Sequence, residues 1–332
     1  MMNGENKIKK IIYSVFIILL LSVSSALAYT DEEMDILKKK MELIKQTRRS
    51  RVIQPDNALV TDPREKVMLV AVTDACVKKM KRFPTREMIK DVCDYLTRSR
   101  VSAIGIDFVY DVPEVTDRSL VEFIERTPRV VLASDAAIDP NRLYKDWDEA
   151  GEDFAITAPY KALDKAVRKE GYINFDLTHG FVNLRFHSFL KRKSDIYLSM
   201  PLALVFIAEN IEDFDVSLNP DQSVSKYRIK FGDGFEVPQK YVLNYRYNFK
   251  YVYFSELYAK AKKYLENPDP DTLPVRELEG KIALIGDMTA DAKTYVKNNL
   301  QVYNIDLLGN SIIDIYERRM KTPARESFKI ME

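Results

Sequence analysis

Acidic residues recur at the ends of apolar runs in this sequence, and they are the side chains with the clearest capacity for binding chemistry. The runs are 67–72, 104–108 and 282–285, and the residues in or just after them are Asp74, Asp107, Tyr110, Asp111, Asp287 and Asp291. If the runs form parallel strands, at least four carboxylates converge at one edge of the sheet, where ligands bind in such folds. A cluster of that kind suits a cationic ligand or a divalent ion with oxygen ligands. The alternative is that each acid caps the following helix or forms a turn, as Asp commonly does.

Signatures of catalysis are weak in this chain. The sequence has no G-x-S-x-G, no phosphate-binding loop, no G-x-G-x-x-G and no H-E-x-x-H motif. The two histidines, His179 and His187, lie across a predicted strand pair, and such placement fits a structural role better than a metal site. The segment 232–234 is interpreted as a turn because no helix pattern follows it. We therefore expect no catalytic residue and no cofactor, and the sequence leaves the question of a metal open.

Strand and helix patterns alternate in the region that follows residue 66. Strands are predicted at 67–72, 102–108 and 130–133, and helices at 86–97 and 117–126. This order is typical of a doubly wound fold, in which helices connect parallel strands.

The middle of the chain breaks this pattern, and the last third returns to it. Residues 135–170 are predicted to be irregular, and strands 172–175 and 181–187 are predicted to pair antiparallel across the turn 176–180. Further helices are predicted at 200–209, 255–265 and 306–319, and further strands at 227–231, 241–245 and 281–285. The predicted fold is therefore α/β, with a mostly parallel sheet, helices on both faces and an antiparallel insertion.

Residues 1–28 have the layout of a secretory signal peptide or an N-terminal membrane anchor. Three lysines precede the uncharged apolar run 11–23, and small residues end at Ala28. The run is shorter than a comfortable bilayer crossing, which favours cleavage, whereas its extension to Ala28 leaves an uncleaved anchor open. Further along the chain the most apolar stretch, 200–208, is too short to cross. We expect a periplasmic or other extracytoplasmic location.

The charge balance and the cysteines narrow the class of protein. The chain has 51 Lys and Arg residues against 50 Asp and Glu residues, and this near-neutral balance argues against nucleic-acid binding. Cys76 and Cys93 can form a disulfide in an exported protein. However, Cys93 also lies on the apolar stripe of the helix 86–97, where a buried thiol packs equally well.

Residues 31–51, within a predicted helical linker 29–55, have the pattern of a charged amphipathic helix. Its apolar residues are spaced alternately by three and four positions: Met34, Leu37, Met41 and Ile44. This apolar seam either packs on its own domain or forms a homodimer contact.

Four stretches of the sequence carry a family resemblance. They are VMLVAVTDACV with RFPTREMIKDVCDYL, VSAIGIDFVYDVPEVTDRSLVEFI with RVVLAS, GYINFDLTHGFVNLRF, and LEGKIALIGDMTAD with NIDLLGNSIIDIYERR. In this order they resemble the second class of CHASE domains, the extracellular sensory domains of bacterial cyclases, histidine kinases and related receptors. The positions that match the family pattern are Asp74, Pro84, Asp107, Asp117, Gly171, Gly180, Gly280, Lys281, Gly286, Asp291 and Asn310. The sequence departs from that pattern at Phe83, His179 and Asn304, where Trp, an acid and Gly are usual.

The resemblance implies a sensory domain at 56–322, followed by a C-terminal tail at 323–332. Such a domain recognises a small molecule, an ion or a protein and signals to a membrane receptor, kinase or cyclase. No output domain is visible after this region. We expect that a partner carries the signal on, with two alternatives left open: the sequence is a fragment of a longer receptor, or the domain has another role outside the cell. The alternatives are a periplasmic metal-dependent hydrolase that uses the strand-end carboxylates and a structural subunit of an envelope complex.

Overall fold

The computed structural model describes residues 63–138, 154–175, 185–219, 225–232, 234–243, 249–296 and 300–321. All of them belong to one compact unit, Thr61–Glu332. The predicted leader 1–28, the linker 29–55 and the tail 323–332 lie outside the described residues, as do His179 and the turn 176–180.

Strands and helices alternate along the described chain. The strands are β1 (Val67–Val72), β2 (Ala103–Val109), β3 (Val130–Ile138), β4 (Phe154–Thr157), β5 (Lys169–Tyr172), β6 (Arg185–His187), β7 (Phe189–Arg192), β8 (Asp195–Leu198), β9 (Phe214–Leu218), β10 (Tyr227–Phe231), β11 (Glu236–Pro238), β12 (Lys240–Val242), β13 (Tyr251–Tyr253), β14 (Ile282–Asp287), β15 (Lys293–Val296) and β16 (Leu300–Tyr303). The helices are α1 (Asp74–Met80), α2 (Arg86–Arg98), α3 (Asp117–Arg126), α4 (Lys161–Ala166), α5 (Met200–Ala208), α6 (Phe254–Glu266), α7 (Val275–Leu278) and α8 (Asn304–Lys321).

A seven-stranded sheet forms the centre of the fold. Its order is β13–β1–β14–β2–β3–β4, and β5 also pairs with β3. All of these pairs are parallel except β3 with β4. Strand β14 comes late in the chain but lies between β1 and β2, so it brings its own carboxyl end into the middle of the sheet. The predicted mostly parallel α/β sheet is confirmed.

One face of the sheet packs against α1 to α4, α6 and α7. Helix α2 shows how the sequence specifies this packing. The Thr85 hydroxyl accepts a hydrogen bond from the Met88 N–H and caps the first turn. The buried apolar stripe of α2 recurs at helical spacing and consists of Met88, Ile89, Val92, Cys93 and Leu96.

The opposite face packs against α5 and α8. Helix α5 is apolar on all sides, a composition that requires cover on its outer surface as well. The antiparallel insertion provides this cover, since the ring of Phe206 in α5 makes edge contacts with Phe214 and Phe231. The insertion consists of β9 to β11, the pair β6–β12 and the pair β7–β8. Helices on both faces and an antiparallel insertion are therefore confirmed.

Two predictions for the middle of the chain are wrong. The segment 172–175 was expected to pair with 181–187, but β5 joins the main sheet parallel to β3, and β6 pairs with β12. The physical reason is close packing at Gly171, where a Cβ atom would lie 2.4 Å from the Met200 Cα. Only glycine lets β5 run so close to the start of α5. In the region 135–170, expected to be irregular, the described residues form the end of β3, then β4, α4 and the start of β5.

Cys76 and Cys93 are both free and buried. Cys93 lies on the buried stripe of α2, as its spacing predicted. Of the helices that the structure describes, none is both long enough and apolar enough to cross a membrane.

Candidate functional site

The carboxyl ends of β1, β14 and β2 lie side by side, which places the predicted strand-end acids at one edge of the sheet. Asp287 in β14 is in register with Val72, the last residue of β1. Its neighbour Gly286 is in register with Asp107 in β2. Asp107 and Asp287 therefore lie on adjacent parallel strands, one residue apart in register. The apolar runs predicted that these acids lie at one edge of the sheet, and the structure adds that their strands are neighbours.

Asp107 is the buried member of this pair. Its side chain lies on the face that packs against α8, and both carboxylate oxygens accept a hydrogen bond from the Asn304 Nδ2 atom, at 3.2 and 3.3 Å. Burial raises the pKa of Asp107 to about 8. The hydrogen bond from Asn304 lowers that pKa, and the nearby charge of Asp287 raises it.

Gly286 makes room for the Asp107 carboxylate. A Cβ atom at Gly286 would lie 3.1 Å from the Asp107 Oδ2 atom and 3.1 Å from the Ile305 Cβ atom in α8. The absence of a side chain therefore lets a carboxylate and a helix approach the same point of the sheet.

A cleft of about 360 Å³ opens at this edge, between the strands and the start of α8. Its lining combines two carboxylates, two amides and four apolar side chains: Asp107, Asp287, Asn174, Asn304, Ile173, Phe175, Ala292 and Leu307. An apolar lining with a few convergent polar groups is typical of a small-molecule site.

Hydrogen bonds to neighbouring backbone and side-chain groups hold Asn174 and Asp287 in place. The Asn174 Oδ1 atom accepts a hydrogen bond from the Ala136 N–H at 2.6 Å, and its Nδ2 atom donates to Asp135 Oδ1 at 2.7 Å. The Asp287 Oδ1 atom accepts a hydrogen bond from the Thr289 N–H at 2.8 Å. These bonds fix the side-chain orientations before any ligand binds.

The structure places the other predicted site residues outside this cleft or does not describe them. Asp74 is exposed at the start of α1, and its Oδ2 atom accepts a hydrogen bond from the Ala290 N–H at 3.2 Å. Asp111 is exposed. Asp291 belongs to the short turn Ala290–Ala292, and its side chain is not described. Asp74 therefore ties α1 to the segment after β14 by a long-range contact, which is neither a helix cap nor a turn. The bond from the Thr289 N–H to Asp287 is the turn role that was the alternative for each acid.

Tyr110 lies on the opposite face of the sheet from Asp107. Its ring is buried under the Arg86 guanidinium, whose Cζ atom lies 4.6 Å from the ring centre. Its hydroxyl has no hydrogen-bond partner among the described residues, and burial raises its pKa. The alternation of side chains along β2 separates Tyr110 from the cleft, because residues an odd number of positions apart point to opposite faces.

The described residues contain no group of three His, Cys, Asp or Glu side chains that could hold a metal ion. The carboxylates that the sequence predicted to converge are thus brought together as a pair in the cleft, Asp107 with Asp287, and Asp74 lies apart from them in a backbone contact.

A comparison with known families identifies the chain. The family model described as the CHASE2 domain matches residues 15–306, which is most of the sequence. The chain belongs to the CHASE2 family. CHASE2 domains are extracellular sensory domains, so membership supports the extracytoplasmic location that the leader predicts. Searches of curated proteins and of solved structures found no match to this chain.

Sequence reasoning missed the amides of this CHASE2 domain. Asn304 was noted only as a departure from the family pattern, and Asn174 was not singled out. The signal for Asn304 was its position, one residue before the apolar stripe of the last helix, where a polar side chain normally caps the helix or contacts a neighbouring strand end. No sequence signal pointed to Asn174, because its role depends on the pairing of β5 with β3.

Proposed function

We propose that this chain is an extracytoplasmic sensory domain that binds a small organic cation in the cleft beside Asp107 and passes the change to a membrane partner. The observation that carries the proposal is the buried Asp107 carboxyl, which faces a cleft and forms no ion pair with any described Lys or Arg residue. A buried carboxylate without a cation is costly, and a bound cation removes much of that cost.

The charges around the cleft favour a cation over an anion. Asp107 and Asp287 both line it. The first turn of α8 carries a further buried carboxyl, Asp306, whose Oδ1 atom accepts a hydrogen bond from the Tyr251 hydroxyl at 2.7 Å. The positive end of the α8 dipole is therefore already matched by acids, and an anion in the cleft would meet the two carboxyl groups that line it.

Helix α8 is the element best placed to carry a signal away from the cleft. Asn304 and Leu307 line the cleft, and the helix continues to Lys321 along the sheet and against α5. A cation that pairs with Asp107 competes with the hydrogen bond from Asn304 to that carboxyl. Weakening of this bond shifts the preferred position of helix α8. In this proposal a membrane receptor, kinase or cyclase reads that shift.

Ligand binding is tested by thermal unfolding of the full chain with two matched probes. Putrescine carries an ammonium group at each end, and 1,4-butanediol has the same length without charge. We expect putrescine to raise the melting temperature and butanediol to leave it unchanged. At a hundredfold excess over its Kd, a ligand of the native state adds about 2.7 kcal/mol to the free energy of unfolding.

Two variants sharpen this test. Asp107→Asn keeps the shape of the carboxyl but cannot pair with a cation, so it should abolish the putrescine shift. Asp111→Asn, at an exposed position outside the cleft, is the matched control and should retain the shift. Equal shifts with the two probes, or a full shift in Asp107→Asn, would show that the cleft is not a cation site.

Signal transfer is tested by isolating the full chain from membranes of the cells that make it. We expect a receptor, kinase or cyclase to co-purify, and the amount to change when putrescine is added. Recovery of the chain without any such protein argues against a signalling partner. No observation in the described residues favours the alternative function, a metal-dependent hydrolase.

A further inference from the structure

Three large apolar side chains are exposed on two loops at the carboxyl edge of the sheet, and Arg86 connects these loops. The exposed fractions are 41% for Phe83, 62% for Val112 and 103% for Val115. Phe83 lies in the loop between α1 and α2, whereas both valines lie in the loop between β2 and α3. Single exposed apolar residues are ordinary, but a cluster of three marks an interaction surface. We call Phe83, Val112 and Val115 the apolar patch.

The Arg86 guanidinium fastens the two loops to each other. Its Nη2 atom donates to the Val112 carbonyl oxygen at 2.7 Å, and its Nη1 atom donates to both Asp117 oxygens at 2.7 and 2.6 Å. Asp117 in turn accepts a hydrogen bond from the Glu114 N–H at 2.6 Å. Phe83 precedes Arg86 by only three residues, and its ring packs edge-on against Phe108 at 5.6 Å. The patch is therefore held in a fixed shape before any partner binds.

Exposed charges of opposite sign adjoin the residues of the apolar patch along the chain. The bases precede Phe83 in the chain and are all exposed: Lys78, Lys79, Lys81 and Arg82. The acids Asp111 and Glu114 are exposed beside the two valines. Within the described residues, none of the four bases forms an ion pair with any acid, and Asp111 has no basic partner. Of the two acids, only Glu114 has a basic partner among the described residues: its Oε1 atom lies 3.4 Å from the Arg86 Nε atom.

We infer that two copies of this chain associate through the apolar patch, related by a two-fold axis. In a two-fold interface the same surface contacts itself, so a patch with a basic side and an acidic side is self-complementary. The basic flank of one copy then faces the acidic flank of the other, while Val115 and Val112 meet near the axis. This complementarity is what selects a second copy as the occupant.

Cysteine cross-linking of the full chain tests the inference. In Val115→Cys the new thiols of two copies lie close together at the axis, so a short bismaleimide should join them and double the mass on a denaturing gel. The matched control is Val242→Cys, since Val242 is also an exposed valine, at 50%, but belongs to β12 in the insertion. The natural thiols of Cys76 and Cys93 are buried and contribute no background.

Charge exchange tests the orientation of the two copies. Arg82→Glu or Asp111→Lys, each added to Val115→Cys, should lower the cross-linked fraction. Because the pair occurs twice in the interface, the association constant should fall on the order of fivefold. When the two variants are made together with different tags, mixed dimers should form at the original yield, since the reversed charges match again.

The outcomes divide cleanly. Cross-linked dimer from Val115→Cys but not from Val242→Cys, with recovery in the mixed charge variants, supports the inference. Monomer only, an adduct with a protein of another mass, or charge variants that cross-link as well as the parent would overturn it.

Discussion

Asp117 and Asp107 are both buried carboxyls on opposite faces of the same sheet, yet their pKa values move in opposite directions. Burial alone would raise the pKa of Asp117, but hydrogen bonds from the Glu114 N–H, the Arg86 guanidinium and the Tyr160 hydroxyl outweigh it and lower that pKa. Burial raises the pKa of Asp107 to about 8, since the hydrogen bond from Asn304 offsets the effect of burial only in part and the charge of Asp287 adds to it. The residue type is the same, and the partner decides the charge state.

This difference separates a structural carboxyl from one available for binding. Asp117 already has its cation, and the Arg86–Asp117 pair holds the loop that carries Val112 and Glu114. Asp107 lacks a cation among the described residues and faces a cleft. A buried acid with a strongly shifted pKa beside a cavity is typical of a functional site.

Removal of the Asp117 partner should have the largest effect. In Arg86→Met the carboxylate stays buried without its cation, so the free energy of unfolding should fall by about 3 to 5 kcal/mol. The measurement is urea denaturation at neutral pH. Arg118→Met is the matched control, because Arg118 in the same helix as Asp117 forms only an exposed pair with Glu122 at 2.9 Å, and the loss there should stay below about 0.5 kcal/mol. Similar losses in the two variants would contradict the distinction between the carboxyls.

Crowding of the Asp107 side chain should reduce the free energy of unfolding by an intermediate amount. In Gly286→Ala the new methyl group presses on Asp107 and Ile305, so we expect a loss of about 1 to 3 kcal/mol in the free energy of unfolding. Gly232→Ala serves as the control because a Cβ atom there has no neighbour within 4 Å. If Gly286→Ala is as stable as Gly232→Ala, the packing at the cleft is looser than the contacts imply.

The pH dependence of the free energy of unfolding should separate the two carboxyls, because each of them loses its contribution to stability in a different pH range. The expected change per pH unit is smaller than the two losses above. The pKa of Asp107 is raised from 3.8 to about 8, so the folded state holds this proton more tightly than the unfolded state. Its contribution to stability is complete below pH 3.8 and is lost as the pH rises to about 8. The slope is at most on the order of 1 kcal/mol per pH unit.

Asp117 should behave in the opposite way. Because its pKa is lowered from 3.8, its contribution is present above that value and is lost as the pH falls through the lowered pKa. Denaturation at a series of pH values should therefore show that Asp107→Asn removes the loss of stability between pH 3.8 and about 8. Asp117→Asn should lower stability at neutral pH and remove the further loss of stability below pH 3.8. Parallel profiles for Asp107→Asn and the parent protein would contradict the raised pKa.

The order of apolar runs and acids in the sequence was enough to predict the sheet and its two-sided cover. Runs such as 67–72 are buried on both faces, which is the pattern of a central parallel strand, and the stripe of α2 has helical spacing. Local pattern also located Asp107 and Asp287 at strand ends on one edge of the sheet, because parallel strands bring their carboxyl ends together. That the two strands are neighbours is known only from the structure. The leader and the seam at 31–51 remain predictions from sequence pattern, and the limits at 56–322 remain a prediction from the family resemblance.

Only the tertiary structure decided which acids share a cleft and which carry a partner. Tyr110 follows Asp107 by three residues but lies on the other face, where Arg86 packs on its ring. The pairing of β5 with β3 brings Asn174 to the site across a long stretch of chain, and Asn304 arrives with α8. Sequence pattern reports the periodicity of each element, which depends on neighbours along the chain. The charge state of a buried carboxyl depends on neighbours in space, and those are set only when the elements pack.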